Sequence, residues 1–372
     1  MLPLVFLLAA SIFFGTYLAC FLYIKSYVKK PWDIKADDKF EPEITILVPV
    51  HNEETTIESK LENIKSVSYP IEKMEVVVAD DASDDSTLEK VEHFMQRNPE
   101  LDVKLVRQNP RAGKSATLNK ALSVTTKPIV VVSDADTIWP PHILRKALPY
   151  LADERVGAVS GRGVNANVKE SWVTKAEDTY LQLANMLRLG ESKIHSTIRF
   201  EGGFCAYKRN AFDIFDCETG SDDSGTALEV TQNGFRAIMV PEAMFYTNFP
   251  TSFQNKTKIK MRRANQLINL WVKCLRLMVK GKLHIPKRIV VPELMLFIFY
   301  PIILLSLMVT ALLTVVLYPF SPFSIVVMLL ICGIMIFARG AFIEVLLDNL
   351  ILFCALITFL FGRRYTAWEK SS

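Results

Sequence analysis

With 372 residues the chain is too long for one small domain, and a 50% hydrophobic composition with positive mean hydropathy is high for a wholly soluble protein. The net charge of +4 is uneven, because residues 251–288 hold 11 Lys and Arg with no Asp or Glu, leaving 32 basic against 39 acidic residues elsewhere. One basic segment without a second basic patch argues against a nucleic-acid partner and for a membrane surface of anionic lipid.

In chain order, residues 2–24 carry no charge over 23 positions, enough to cross a hydrocarbon core of roughly 30 Å at about 1.5 Å per residue. The run lacks a basic leader and a small-residue cleavage site, so residues 1–28 read as an uncleaved anchor. Lys25, Lys29 and Lys30 directly after it place its C-terminal end in the cytoplasm.

From Glu43 the pattern turns to β-α alternation, which predicts a catalytic domain over residues 41–250. Strands are expected at Ile44–Val50, Met74–Ala79, Val103–Val106 and Ile129–Val132. Helices are expected at Glu53–Ser66, Ser86–Gln96, Lys114–Ser123 and Pro141–Leu151, with Ser83 or Asp85 able to cap the second. Four such units in about 110 residues predict an α/β fold with a parallel, doubly wound sheet. A less regular half follows, from Gly157 to about Thr251.

Residues 251–288 read as basic amphipathic interface helices, with Ile259, Ala264, Leu267, Leu270, Trp271, Cys274 and Leu275 on the apolar side. Residues 289–361 then supply C-terminal transmembrane or interfacial helices, and 362–372 a tail. Residues 294–338 are uncharged for 45 positions around the breaker cluster Tyr318-Pro319-Phe320-Ser321-Pro322, which predicts spans at Leu294–Leu317 and Phe323–Ala338. A third candidate, Phe342–Phe361, contains Glu344 and Asp348. If it spans, Arg363, Arg364 and Lys370 end outside against the charge bias; a re-entrant or interfacial path keeps them inside. The six cysteines and five histidines show no metal or disulfide spacing, as expected of reduced thiols without zinc.

The chemistry gathers where the strands end. Asp134 and Asp136 close the run Val130-Val131-Val132-Ser133 and, two residues apart in extended chain, point the same way. A hard divalent cation is the natural neutraliser of such a pair, although a lone Asp-x-Asp is more often a solvated turn. Three sibling loops change that balance: Pro49-Val50-His51-Asn52-Glu53, Asp80-Asp81-Ala82-Ser83-Asp84-Asp85-Ser86-Thr87, and Arg111-Ala112-Gly113-Lys114 leading to Leu118-Asn119. Four polar loops in order on one sheet edge make a binding site by topology.

These blocks resemble family 2 glycosyltransferases with the GT-A fold, a Rossmann-like nucleotide-diphospho-sugar transferase domain. The similarity runs from Glu43 to about Gly281 and includes the membrane-bound group of cellulose, hyaluronan and poly-N-acetylglucosamine synthases. The resemblance implies that Pro49, His51, Glu53 and Asp81 hold the nucleoside, with Asp80 assisting or shaping its loop. Lys114 would face the phosphates, Asp134 and Ala135 would line the nucleotide-sugar, and Asp134 and Asp136 would hold Mn²⁺ or Mg²⁺. Asp223, in Ser221-Asp222-Asp223-Ser224, aligns with the family's catalytic base, while Asp222 or Ser224 can cap the following helix. Gly202, Gly203, Phe204 and Tyr207 resemble the acceptor side, where the two aromatic rings could stack on a sugar; Cys205 reads as a small buried filler. Where processive members carry Q-x-x-R-W, this chain reads Ile259-x-x-Arg262-Arg263, keeping Arg262 to clamp the diphosphate but losing the Gln and Trp.

The resemblance implies an inverting, metal-dependent transfer from a nucleotide-diphosphate sugar, a UDP-sugar first, to a lipid-linked or cell-surface glycan. The expected location is the cytoplasmic face of the cell membrane, in a multi-pass protein that contacts lipid. A polyprenyl-phosphate sugar synthase, a processive polysaccharide synthase and a non-catalytic membrane scaffold remain as alternatives.

Overall fold

The computed structural model of the protein describes residues 2–337 and 339–362. The expected tail beyond Gly362 and the expected span end at Ala338 lie outside the described residues. The chain forms two compact units, one of Lys25–Phe253 with Lys282–Pro286, the other of residues 2–24, Gln254–Gly281 and 287–362.

The apolar unit opens with α1 (Leu2–Val28). The α/β unit follows with β1 (Ile44–Val50), α2 (Ile57–Lys65), β2 (Met74–Asp81), α3 (Thr87–Arg97), β3 (Asp102–Gln108), α4 (Lys114–Leu122) and β4 (Ile129–Val132). It continues with α5 (Ile143–Ala147), β5 (Val156–Asn165), α6 (Trp172–Ile194), β6 (Cys205–Lys208), α7 (Asp222–Gln232) and β7 (Arg236–Thr247). The seven strands run in the order β3-β2-β1-β4-β6-β5-β7. Every residue of β1, β2 and β4 is buried, which is why these strands read as unbroken apolar runs rather than alternating ones.

The first four strands are parallel, as expected, and the chain moves outward from β1 to β3 before returning to β4. That return opens a crevice at the C-terminal ends of β1 and β4. Pro49 fits there: Leu47 O accepts from Ser133 N at 3.0 Å, so Pro49, two residues on, faces the side where the β1–β4 ladder has already ended. Its missing N–H therefore leaves no gap in the sheet.

The second half departs from the parallel expectation, because β6 is antiparallel to both β4 and β5. The stretch between α6 and β6 explains this. It bonds to β7 at Thr197 N→Ala237 O (2.9 Å) and reaches the crevice at Asp134 N→Gly202 O (3.0 Å), so the chain has already travelled the sheet before β6 starts back. Two helices are also shorter than expected. α2 starts at Ile57, after the left-handed Asn52 (φ 56°) and a turn over residues 54–56, and the Pro141–Leu151 helix shrinks to five-residue α5 followed by a 3₁₀ turn over Leu148–Ala152. Asp85 does serve α3, accepting from Thr87 N at 3.0 Å, whereas Ser83 accepts from Asn52 N instead.

The apolar unit adds α8 (Phe253–Val279), α9 (Lys287–Leu294), α10 (Tyr300–Leu317), α11 (Pro322–Phe337) and α12 (Arg339–Leu360), with a π-helical turn at Met295–Phe299. Among the described residues two helical stretches, Pro3–Val28 and Lys287–Leu317, are long and apolar enough to cross a membrane. Phe13 packs against Tyr300, whose hydroxyl meets Thr16 Oγ1 at 2.8 Å. Glu344 and Asp348 on α12 are neutralised by α8: Lys256 Nζ lies 2.8 Å from Glu344 and Lys260 Nζ 2.7 Å from Asp348. Lys256 is almost fully buried, so leaving it without its carboxylate costs on the order of 3 kcal/mol. Glu344→Lys is expected to lower the thermal midpoint of the detergent-solubilised protein, and adding Lys256→Glu should recover most of the loss. A double variant no more stable than the single one would show that the pair contributes nothing.

Candidate active site

The first two loops of the crevice are stitched to each other before any ligand is considered. Asn52 Nδ2 donates to Asp84 Oδ1 (2.7 Å) and Asn52 Oδ1 accepts from Asp84 N (3.0 Å), while Glu53 N donates to Thr87 Oγ1 (2.8 Å). His51 Nδ1 sits 2.9 Å from Asp81 O. Ala82 holds a left-handed φ of 58°, a conformation that costs an alanine about 1 kcal/mol or more. Asp80, fully buried, supports it by accepting from Ser83 N at 3.1 Å and facing Arg107 Nε at 3.6 Å. Asp80 thus shapes its loop.

Asp81, expected to hold the nucleoside, is engaged by the protein itself. Its carboxylate is fully buried and meets four protein donors: Ala112 N (2.8 Å), Gly113 N (3.0 Å), Thr117 Oγ1 (3.0 Å) and Arg111 Nε (3.6 Å). Those bonds brace the loop after β3 and the start of α4, where Gly113 has φ 89°. They also aim Lys114, the first residue of α4, across the crevice. Its ammonium bonds Asp134 Oδ1 at 2.8 Å and Asp222 Oδ2 at 3.2 Å, joining β4 to the N-terminus of α7. Burial alone would lower the Lys114 pKa, but Asp134, Asp222 and Asp223 outweigh it and hold the group well above its usual value.

The carboxylates pay the opposite way. Asp222, buried, is pushed up to about 6 by desolvation and by Asp223 and Asp134, against the pull of Lys114. Asp136 keeps an exposed face yet is hemmed in by protein, and desolvation followed by Asp134 and Glu53 pushes it up to about 6 as well. Of the two adjacent aspartates on α7, Asp222 is the one raised and locked to Lys114. Asp223 is half-buried, and its Oδ1 accepts from Ser221 Oγ (2.5 Å) and Ser224 N (2.6 Å). Neither Asp222 nor Ser224 is the N-cap; Ser221 occupies that position, without a side-chain capping bond.

The acceptor-side residues divide. Gly202 belongs to the site, since a methyl there would lie 2.7 Å from Asp134 Oδ2 and 2.9 Å from Lys114 Nζ. Gly203 is a packing glycine, because a methyl would collide with the Phe245 ring. Phe204 and Tyr207 are fully buried, contrary to a sugar-stacking role. Phe204 packs on Trp139 with centroids 5.1 Å apart, and Tyr207 sits among Phe200, Phe212 and Phe215 with its hydroxyl 3.4 Å from Asp223 O. Ala135 likewise turns its methyl into the core, leaving only its backbone to the crevice. Cys205 is buried. Arg262 lies on α8, in the other unit.

Sequence reading passed over Lys60 and Asn63, and met Asn119 only as part of the third loop's motif. Lys60 stands in the buried face of α2 with Ile57, Leu61 and Ile64, so a charged residue at an apolar period was the available signal. Asn119 exchanges two bonds with the Phe215 backbone (2.7 and 2.9 Å), anchoring the segment that leads to α7. Among the described residues no three His, Cys, Asp or Glu side chains form a ready-made metal cage.

Because the folded-state value of Asp136 lies above the unfolded one, its contribution to stability is fully present below about pH 3.8 and lost as the pH rises through about 6. Without metal, Asp136→Asn should therefore melt higher than the wild type at pH 8, the gap closing towards pH 4. Equal melting temperatures across that range would show that Asp136 carries no electrostatic strain.

Residues 45–215 match the sequence profile described as glycosyl transferase family 2. A β-monoglucosyldiacylglycerol synthase from Synechocystis is 32% identical over 43% of this chain and 34% of its own length. A poly-β-1,6-N-acetyl-D-glucosamine synthase from Staphylococcus aureus is 27% identical over 63% of this chain and 56% of its own. The chain thus spans about a third to just over half the length of these curated relatives. The solved structure of the mannosyltransferase PcManGT from Pyrobaculum calidifontis, in complex with GDP-Man and Mn²⁺, superposes with a TM-score of 0.83 at 29% identity, covering 98% of this chain and 100% of the other. The chain therefore carries a glycosyl transferase family 2 domain, built on the GT-A fold.

Proposed function

We propose that the protein is an inverting, metal-dependent glycosyltransferase that moves a sugar from a nucleotide diphosphate to a lipid-linked or cell-surface glycan at the cytoplasmic membrane face. The observation that carries this reading is the crevice itself. Lys114 bridges Asp134 and Asp222, while Asp136 stands beside them with its carboxyl held up by desolvation and by the negative charge of Asp134 and Glu53. One or two carboxylates completed by substrate phosphates suit Mg²⁺ or Mn²⁺, so Asp136 with Asp134 fits such an ion. When bound, the ion stabilises charge on the departing diphosphate.

The chain's own groups account for the rest. His51 and Glu53, on the loop after β1, flank the nucleoside end, and Lys114 is placed to turn from Asp134 towards the phosphates. Asp223 accepts the proton of the acceptor hydroxyl as its oxygen bonds the anomeric carbon and the bond from that carbon to the diphosphate breaks. Its Oδ2 is left for that proton, because Oδ1 is occupied by Ser221 and Ser224. Asp222 stays with Lys114. In this reading the stretches Pro3–Val28 and Lys287–Leu317 cross the membrane, and Lys25, Lys29, Lys30 and the basic α8 keep the transferase inside. The relatives support an acceptor that is a lipid or a glycan. For the donor, a UDP-sugar is set against GDP-mannose, which the full-length structural neighbour holds.

A donor screen on membranes with Mn²⁺, following nucleotide release and lipid-extractable product, tests the reading. Turnover should need the metal and vanish in Asp136→Ala. Asp223→Asn should lower kcat by about 10²-fold or more with little change in the donor KM. Undiminished kcat in Asp223→Asn would remove the base and favour a phosphate acceptor, and metal-independent turnover would remove the ion.

A further inference from the structure

Lys60, a basic residue of the α/β unit, has no carboxylate in direct contact and is nevertheless almost completely buried. Lys60 Nζ donates to Thr137 O at 2.9 Å and Thr137 Oγ1 at 3.3 Å, and lies 4.4 Å from the centroid of the Trp139 ring. One turn along the same helix, Asn63 closes a reciprocal pair with the Trp139 backbone: its Nδ2 donates to Trp139 O and its Oδ1 accepts from Trp139 N, both at 2.8 Å. Thr137 in turn donates to Asp134 O at 2.9 Å, and Trp139 Nε1 donates to Gly203 O at 2.7 Å. Ile138, between them, exchanges backbone bonds with Tyr246 at 2.9 Å. The turn that carries Asp134 and Asp136 is thus held downstream at three successive residues, two of them by α2.

A buried ammonium bonded only to a carbonyl and a hydroxyl is a costly way to secure a helix; an apolar side chain would pack there without the desolvation penalty. Burial draws the group down to about 7, and Asp134 and Asp136 draw it back up. What the lysine supplies that a leucine cannot is a bond to the backbone immediately after Asp136. Asn63 does the same for the backbone at Trp139 without any charge. We propose that Lys60 and Asn63 are positioning residues which, from one face of α2, fix the backbone after Asp136 and so the direction in which that carboxylate meets its cation. This rests on the metal-dependent reading above, and it assigns α2 a part in metal affinity although no α2 side chain reaches the ion.

The test is Mn²⁺ binding to the purified full-length protein with UDP or GDP present, read by electron paramagnetic resonance of free Mn²⁺, with thermal midpoints measured alongside. Asn63→Leu changes no charge and should weaken Mn²⁺ binding about 10-fold or more. Lys60→Gln and Lys60→Met remove the same charge, but Gln keeps a donor, so Lys60→Gln should bind Mn²⁺ more tightly than Lys60→Met. Variants that melt lower yet bind Mn²⁺ as the wild type does would overturn the proposal and leave a purely structural clamp. Equal binding by Lys60→Gln and Lys60→Met would overturn the part assigned to Lys60. A wild type that binds no Mn²⁺ with either nucleotide would instead strike the metal-dependent reading, and this inference with it.

Discussion

The ammonium of Lys114 between Asp134 and Asp222 is the constraint on which the rest of the crevice depends. It draws together groups from three elements that are far apart in sequence: the end of β4, the start of α4 and the start of α7. Each neighbour is shaped to permit it. Gly202 leaves the room that any side chain would take, Asp81 sets the turn into α4, and Asn119 anchors the segment before α7. Removing water from this cluster strengthens every charge interaction within it, so the one cation is held firmly while the surplus carboxylates are under strain.

That strain marks a site whose stability is given up for chemistry. Asp136 and Asp222 would be easier to fold as neutral groups at pH 7, and both are retained as acids held up to about 6. The cost is borne by the packing behind them. Trp139 and Phe204 meet edge to face under the turn after β4, and Tyr207 with Phe200, Phe212 and Phe215 backs the start of α7. A rigid apolar layer directly beneath a charged edge lets like charges stay close without the loops relaxing apart.

Much of this was legible in the sequence. Buried parallel strands announce themselves as apolar runs, and β1, β2 and β4 fall where those runs lie, whereas the edge strand β3 is mixed and only partly buried; each is followed by its polar loop. What the sequence could not show is direction. A motif gives residue types in order but not which side of a strand is already covered, so Phe204 and Tyr207 looked available for stacking on a sugar while both face the core. Nor could it show the protein donors of Asp81, because they come from the loop and helix start some thirty residues further on. The antiparallel β6 depends on a stretch of irregular chain that carries no periodicity to read. Lys60 stood out only as a charge on the face formed by Ile57, Leu61 and Ile64, and helical spacing does not show what a buried charge bonds to.

The α8–α12 pairing resolves the puzzle of two acids inside an apolar run, and it also sets a register. Lys256 and Lys260 meet Glu344 and Asp348 in matching order, each pair four residues apart, so the two helices run in the same direction and their charges align as two rungs. Sliding one helix past the other by a turn, about 5.4 Å, would keep one rung and strand the other two charges. The 3.9 Å approach of Lys260 to Glu344 already lies along that diagonal. Full pairing therefore exists at a single setting with a half-paired stop on either side, as in a mechanical detent.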